Sequence, residues 1–166
     1  MTVLEGREKF INSWGSLGSS WGISRTMAQV HALLLLAPEC LSADEIMDEL
    51  KISRGNANMN IRALIDWGLV YKKLKKGERK EFFHAEKDMW EVFRCILIQR
   101  KKKELEPMLK VLEEVSSVDG MCQHSAEFCK VVQDMKLISS KADSTLDKLI
   151  KADNNWFIGK FMKMMK

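Results

Sequence analysis

The sequence predicts a mainly α-helical fold with one small β-hairpin, and three observations carry this prediction. Apolar residues recur at helical spacing along most of the 166 residues. Two helix start signals lie close together, at Ser42 and Ser53. Two short β-prone runs joined by a glycine-containing turn follow between residues 69 and 85. This order of helix, helix, short turn, helix and hairpin is that of a winged helix-turn-helix, and we expect dimerisation helices on both sides of it.

The first two helices come from apolar spacing and one cap. A helix over residues 4–21 is amphipathic. Its glycines Gly15, Gly18 and Gly22 weaken it, and they would also permit close approach of another backbone. Its apolar positions are Leu4, Phe10, Ile11, Trp14, Leu17 and Trp21. Ser24 is a suitable N-cap for the second helix, which Pro38 ends. The core residues of that helix are Met27, Val30, Leu33 and Leu34.

The helix-turn-helix has the strongest local signals. Ser42 with Glu45 three residues later forms a capping box, and Leu41 with Ile46 forms a hydrophobic staple across it. After a turn over residues 51–53, Ser53 caps the next helix, 54–67, which stops at Gly68. The core side of this recognition helix carries Ala57, Ile61, Leu64 and Ile65. Its outer side lacks the Glu and Lys typical of solvated helices.

The hairpin and the later helices complete the chain. The strands are predicted at 69–74 and 80–85, with a basic wing over residues 72–80. Asp88 caps a long helix, and Pro107 must kink or restart it because proline lacks the backbone donor. We expect a helix over 121–138 and another short helix beginning at Ser140. The tail from Trp156 is rich in Phe and Met, which favours packing on a partner subunit over lying on a membrane.

The composition and the charge distribution limit the possible functions of the protein. Apolar residues are 46% and charged residues 30% of the chain, a soluble globular balance. The N-terminus carries acids where a signal peptide needs a basic region, and no stretch is long enough to span a membrane, so we expect a cytoplasmic protein. Residues 54–103 hold 14 basic and 6 acidic groups, a net charge of +8, whereas the flanking thirds are near neutral or acidic. This is the footprint of a polyanion-binding face.

A capped helix followed by a basic hairpin can bind double-stranded DNA. The first turns of such a helix enter the major groove, where Arg grips guanine, Asn grips adenine, and Met packs on a thymine methyl. Lysines of the hairpin bind phosphates, and an arginine there can enter the minor groove. The predicted DNA-binding residues are Ser53, Arg54, Asn56, Asn58, Met59, Arg62, Lys73, Lys75, Lys76, Arg79 and Lys80.

Four segments also resemble a known family. These are Ser42-Ala-Asp-Glu-Ile-Met, Ile52-Ser-Arg-Gly-Asn-Ala-Asn-Met-Asn-Ile-Arg, Trp67-Gly-Leu-Val and Lys76-Gly-Glu-Arg-Lys. They are similar to the GbsR-type branch of the MarR-like transcriptional regulators, over residues 5–107 and most densely over 24–85. The resemblance implies a dimeric repressor or activator whose N- and C-terminal helices pair the subunits. Members near the type protein regulate glycine betaine synthesis in response to choline, and residues 110–166 match no pattern that would carry this effector over.

Other chemistry has weaker support in the sequence. No serine–histidine–aspartate, paired-carboxylate or phosphate-loop signature indicates an enzyme, and we expect no cofactor. No two cysteines lie at Cys-x-x-Cys spacing, and Cys122-Gln-His124 with Cys129 does not have the spacing of a zinc site, so we expect no metal. We expect buried thiols at the cysteines, which include Cys40 and Cys95. We expect His31 to be a satisfied core histidine. Phe10, Trp14, Trp21 and Trp90 fit packing better than a cage for a quaternary ammonium ligand.

The sequence therefore predicts a homodimeric, sequence-specific transcriptional regulator, most simply a repressor, that binds a pseudo-palindromic operator. Residues 1–23 would form a dimerisation helix, 24–86 the DNA-binding domain, and 87–166 a helical region for dimerisation and for a small-molecule effector of unspecified identity. The alternative is a non-enzymatic protein-interaction module on the same scaffold, with the wing binding an acidic partner. An enzyme acting on small molecules is the least favoured class.

Overall fold

A computed structural model of the chain describes residues 1–116 and 123–152. The chain divides into two compact units, residues 1–92 and residues 93–166. The helices of the described part are α1 (Val3–Ser20), α2 (Arg25–Leu36), α3 (Ala43–Leu50), α4 (Arg54–Asp66), α5 (Met89–Arg100), α6 (Glu106–Val115) and α7 (Gln123–Lys151). The strands are β1 (Leu41–Ser42), β2 (Val70–Leu74) and β3 (Glu81–Ala85). The predicted class, mainly helical with a small wing, is confirmed.

The sheet of the first unit is antiparallel and has the order β1-β3-β2. Strands β2 and β3 form the predicted hairpin, in which Val70 pairs with Ala85 and Leu74 with Glu81. Strand β1 was not predicted; its Leu41 and Ser42 pair with Phe83 and Phe82 of β3. Two residues are too short to show a strand period, and the same two residues carry the start signal of α3. This short strand ties the start of α3 to the base of the wing.

The core of the first unit forms around α2, which packs against α1, α3, α4 and β3. Val30, Leu33 and Leu34 of this helix are almost completely buried. Ile46 of α3 and the predicted core residues Ala57, Ile61 and Leu64 of α4 pack into the same core. Because α4 places its apolar side here, its opposite side is left at the protein surface.

Two glycines of α1 allow this helix to lie very close to α2. A Cβ atom added at Gly18 would lie 2.5 Å from Cβ of Ala28, and one at Gly15 would lie 2.7 Å from Cγ of Gln29. Real Cβ atoms do not approach so closely, so any side chain here would push the helices apart. The prediction that these glycines permit close approach is confirmed. Gly22 instead takes a positive φ of 75° in the turn that follows α1.

The C-terminal end of α2 is closed by a lysine that lies beyond the hairpin. Nζ of Lys87 donates hydrogen bonds to the carbonyl oxygens of Leu34, Leu35 and Ala37, at 2.9, 2.5 and 3.0 Å. The last carbonyls of a helix have no partners within the helix and carry partial negative charge, so an ammonium group is a favourable cap. Partial burial lowers the pKa of Lys87.

His31 of α2 lies in the core, as predicted, but it is not fully satisfied. Its Nε2 atom is buried without a hydrogen-bond partner in the described part of the chain. The ring lies 6.3 Å from the ring of Trp14, measured between centroids. Burial, and secondarily the positive charge of Lys87, lower the pKa of His31 to about 4. The histidine is therefore neutral in the folded protein at neutral pH.

Two predictions concern the helices of the second unit, and one of them is confirmed while the other is wrong. A π-helical turn over Lys101–Leu105 ends α5, and α6 restarts with Pro107 in its first turn, as expected of a proline. The predicted break at Ser140 is wrong, because α7 runs continuously from Gln123 to Lys151. Its apolar spacing passes through this position without a change of phase, and hydroxyls such as that of Ser144 donate to backbone within the helix, here to the Lys141 carbonyl.

Two predicted features concern residues outside the described part. Cys122 and the tail from Trp156 fall there, as does the side chain of His124. Within residues 1–116 and 123–152, no group of three His, Cys, Asp or Glu side chains could hold a metal ion. None of the helices described is sufficiently long and apolar to cross a bilayer.

We predict that His31 makes stability depend on pH. Between pH 6.5 and 4 the unfolded histidine binds a proton that the folded one does not, so the free energy of unfolding falls as the pH falls. At about 1.4 kcal/mol for each pKa unit, the loss amounts to about 3 kcal/mol. Urea unfolding across this range measures it. His31→Leu should remove this part of the pH dependence, whereas His84→Gln should keep it; equal slopes in all three proteins would contradict the prediction.

Candidate nucleic-acid interface

Helices α3 and α4 begin at the two serines that the sequence singled out. The hydroxyl of Ser53 accepts a hydrogen bond from the backbone N–H of Asn56 at 3.3 Å, so Ser53 is the N-cap of α4. The Ser42–Glu45 capping box is present, with both reciprocal hydrogen bonds. The carboxylate of Glu45 accepts hydrogen bonds from the Ser42 backbone N–H and from the Ser42 hydroxyl, both at 2.7 Å, and these two bonds lower its pKa. Both start signals are local, and both predictions are confirmed.

Three of the predicted groups on α4 are exposed and without a partner. Asn58, Met59 and Arg62 have no hydrogen bond or ion pair within the described residues. Met59 is 63% exposed, so its side chain is accessible to a partner. Asn58 and Arg62 line one cleft beside Lys72 and Phe83 of the hairpin. This edge of α4 therefore offers amide and guanidinium donors next to the wing.

Asn56 differs from the free side chain that the sequence indicated. It is half-buried, and its Oδ1 accepts a hydrogen bond of 2.7 Å from Nδ2 of Asn60. Asn60 is buried, and the same Nδ2 also donates to the Asn56 carbonyl at 2.8 Å. Oδ1 of Asn60 accepts a bond of 3.0 Å from the hydroxyl of Ser24. That hydroxyl caps α2 by accepting from the Met27 N–H, so the caps of α2 and the middle of α4 form one polar network.

Arg54 and Lys80 share a carboxylate that the sequence analysis did not single out. Nη2 of Arg54 lies 3.0 Å from Oδ1 of Asp44, and Nζ of Lys80 lies 3.6 Å from Oδ2 of the same residue. Asp44 is in the first turn of α3. Both cations are largely exposed, so these pairs are weak contributors to stability and remain accessible to another anion.

Two lysines of the wing have partners within the hairpin, and the first is Lys72, whose Nζ donates to Oε1 of Glu81 at 2.8 Å. Lys75 is half-buried, with its ammonium 4.3 Å from the ring centroid of Phe82, so it packs on the hairpin it belongs to. Lys73, Lys76 and Arg79 are exposed and have no ion pair within the described residues. Gly77 has a φ of 87°, which lets the chain turn tightly between these cations.

Together these groups make up the candidate donor surface. The edge of α4 supplies Arg54, Asn58 and Arg62, and the wing supplies Lys73, Lys76 and Arg79. A surface of arginine and amide donors on a helix, with exposed lysines on the hairpin, has the chemistry needed to contact base edges and phosphates. The features that sequence reasoning missed, Asp44 and Asn60, are both polar residues whose partners lie on other elements, and no local spacing indicates them.

Comparisons with known proteins fit this geometry. No family model matches the sequence. The chain is 25% identical over 115 residues to the HTH-type transcriptional repressor GbsR of Bacillus subtilis (strain 168), a match covering 69% of this chain and 63% of that protein. The resemblance to the GbsR-type regulators is thereby confirmed. A solved structure described as that of a transcriptional regulator has the same fold, with a TM-score of 0.67 at 16% identity, covering 87% of this chain and 95% of that one.

We predict that Asn60→Ala destabilises the protein although the position is polar. The substitution leaves the Ser24 hydroxyl and the Asn56 side chain without their buried partner, and we expect a loss of about 1–3 kcal/mol in the free energy of unfolding. Urea denaturation gives this value. Asn58→Ala, two residues away and exposed, is the matched control and should stay within about 0.5 kcal/mol. Equal effects of the two substitutions would show that the network contributes nothing.

Proposed function

We propose that this chain is a non-catalytic, sequence-specific DNA-binding transcriptional regulator, a repressor, that acts in the cytoplasm as a homodimer. The observation that carries the proposal is the exposed edge of α4, where Asn58, Met59 and Arg62 have no partner among the described residues and lie beside a basic hairpin. The similarity to GbsR supports it; the matched region spans 63% of the length of that relative. Residues 24–86 would contact DNA, and 1–23 with 87–166 would pair the subunits.

In the proposed complex α4 lies in the major groove and the wing on the backbone. Arg54, Asn58 and Arg62 would read base edges, and Met59 would pack on a thymine methyl. Lys73 and Lys76 would bind phosphates, and Arg79 would enter the minor groove. Asn56 would be limited to contacts that leave its bond to Asn60 intact.

The test is a mobility shift with the DNA upstream of the protein's own gene and an excess of random competitor. A shift that survives competition and saturates supports a sequence-specific regulator. Equal weak binding to every fragment contradicts it and favours the interaction module with an acidic partner. Footprinting of the shifted fragment would then give the spacing of the half-sites, which a dimer with two recognition helices places about one helical turn apart.

We predict that the helix and the wing contribute differently to binding. Arg62→Ala should cost about 1–3 kcal/mol on the preferred fragment and much less on random DNA, because it removes a base contact. Lys76→Ala is the contrasting variant; it should weaken both DNAs alike and reduce the salt-dependence slope by about one. Titrations at several salt concentrations measure both quantities. If Arg62→Ala also lowers both affinities equally, α4 does not read bases.

We predict a dimer, because each unit leaves an apolar stripe uncovered. In the first unit α1 exposes Phe10, Leu17 and Trp21, and in the second α7 exposes Phe128, Val131, Met135 and Ile138. Stripes of this kind are typical of subunit interfaces. Sedimentation should give a dimer at micromolar concentration.

Val131→Glu should shift this equilibrium toward the monomer, because it places a charge within the stripe on α7. Gln133→Glu introduces the same charge at an exposed polar position of that helix and should leave the dimer intact. A monomeric wild-type protein, alone and on DNA, would contradict the dimer. A Val131→Glu variant that remains dimeric would exclude the α7 stripe from the interface.

A further inference from the structure

One carboxylate lies where three elements of the proposed DNA-binding surface meet. Asp44 of α3 contacts Arg54 at the first turn of α4 and Lys80 at the start of β3. The three side chains line a cleft of about 190 Å³ together with Asn58 and Phe83. Within the described residues, Asp44 pairs with two of the predicted DNA-binding cations, one from α4 and one from the wing.

The position of Asp44 is unexpected for a protein that binds a polyanion. A carboxylate in the first turn of a helix is favoured by the free N–H groups there, but Asp48 one turn later shows that α3 carries acids elsewhere too. Next to DNA, the charge of Asp44 repels phosphates and neutralises two cations that would otherwise attract them. The pairs contribute little to stability because their side chains are exposed. A different benefit must therefore offset the lost attraction to DNA.

The geometry of Arg54 indicates what that benefit is. A guanidinium group has five donors in a rigid plane, and the bond to Asp44 uses Nη2 alone. The remaining donors have no hydrogen bond within the described residues, and the bond to Asp44 limits where the guanidinium group can point. Arginine recognises guanine by donating two parallel hydrogen bonds from this plane. An arginine of restricted orientation therefore discriminates guanine from other bases better than a freely rotating one.

We propose that Asp44 is a positioning residue for base reading: it orients Arg54 toward a guanine and holds Lys80 at the turn end of the hairpin. This inference rests on the proposed DNA-binding function. It follows that Asp44 lowers the affinity for DNA of any sequence and raises the ratio of specific to random affinity. Removing it therefore changes the two affinities in different ways.

The experiment compares Asp44→Ala with Asp48→Ala, which removes the same charge from an exposed position of the same helix. Affinities are measured on the preferred fragment and on a random fragment of equal length. For Asp44→Ala we expect random DNA to bind more tightly and the ratio of specific to random affinity to fall about tenfold, the effect of one impaired base contact. Asp48→Ala should keep the wild-type ratio. In an Arg54→Ala background, Asp44→Ala should change the ratio no further.

Three results would overturn the inference. If Asp44→Ala raises the affinities for the preferred and the random fragment equally, Asp44 only repels DNA phosphates and does not position Arg54. A fall in the ratio that persists in the Arg54→Ala background would place its action on another residue. A lower melting temperature than that of Asp48→Ala, with both affinities reduced, would make its role structural. If the wild-type protein prefers no fragment, the proposed function itself fails, and this is known before any variant is made.

Discussion

The hydrogen bonds among Ser24, Asn60 and Asn56 set the orientation of α4, on which the rest of the surface depends. Ser24 both caps α2 and donates to the buried Asn60, so the start of the central helix is joined to the middle of α4. Apolar contacts such as those of Ile61 and Leu64 bring the two helices together but tolerate small sliding motions. A buried amide with two fixed partners does not tolerate them, because any slip leaves a polar group unsatisfied. The rotation of α4, and with it the direction of Arg62, follows from this network.

The distance along the chain between contacting residues explains which parts of the fold and of the candidate site could be predicted from the sequence. The caps at Ser24, Ser42 and Ser53 and the turn at Gly77 depend on residues within a few positions of each other, and all are found as expected. The Ser24–Asn60 bond joins residues 36 positions apart, and Asp44 pairs with residues 10 and 36 positions away, so no periodicity in the sequence marks these contacts. The error at Ser140 has a related cause, since a serine can cap a helix or lie inside one. There, the unbroken apolar phase of α7 was the better guide.

Fewer cations of residues 54–103 are available to a partner than the net charge of this segment suggests. The sequence places many cations between residues 54 and 103, but the structure divides them into separate groups. Lys87 closes the end of α2, Lys75 packs on Phe82, and Arg54 with Lys80 shares Asp44. Lys76, Arg79 and Arg62 retain no partner within the described residues. A count of basic residues therefore overstates the number of charges available to a polyanion, and the geometry of each one decides its use.

The position of Lys87 also determines where the proposed DNA-binding part of the chain can be cut. This lysine lies just beyond β3, yet it satisfies three carbonyl groups at the end of α2. A fragment that stops with the hairpin would contain every residue of the proposed surface and still lack the cap of its central helix. Val92, buried in the same unit, lies a little further along. The smallest autonomous piece is thus longer than its helix-turn-helix and wing, and recombination of this module between proteins would have to carry the first turn of α5 with it.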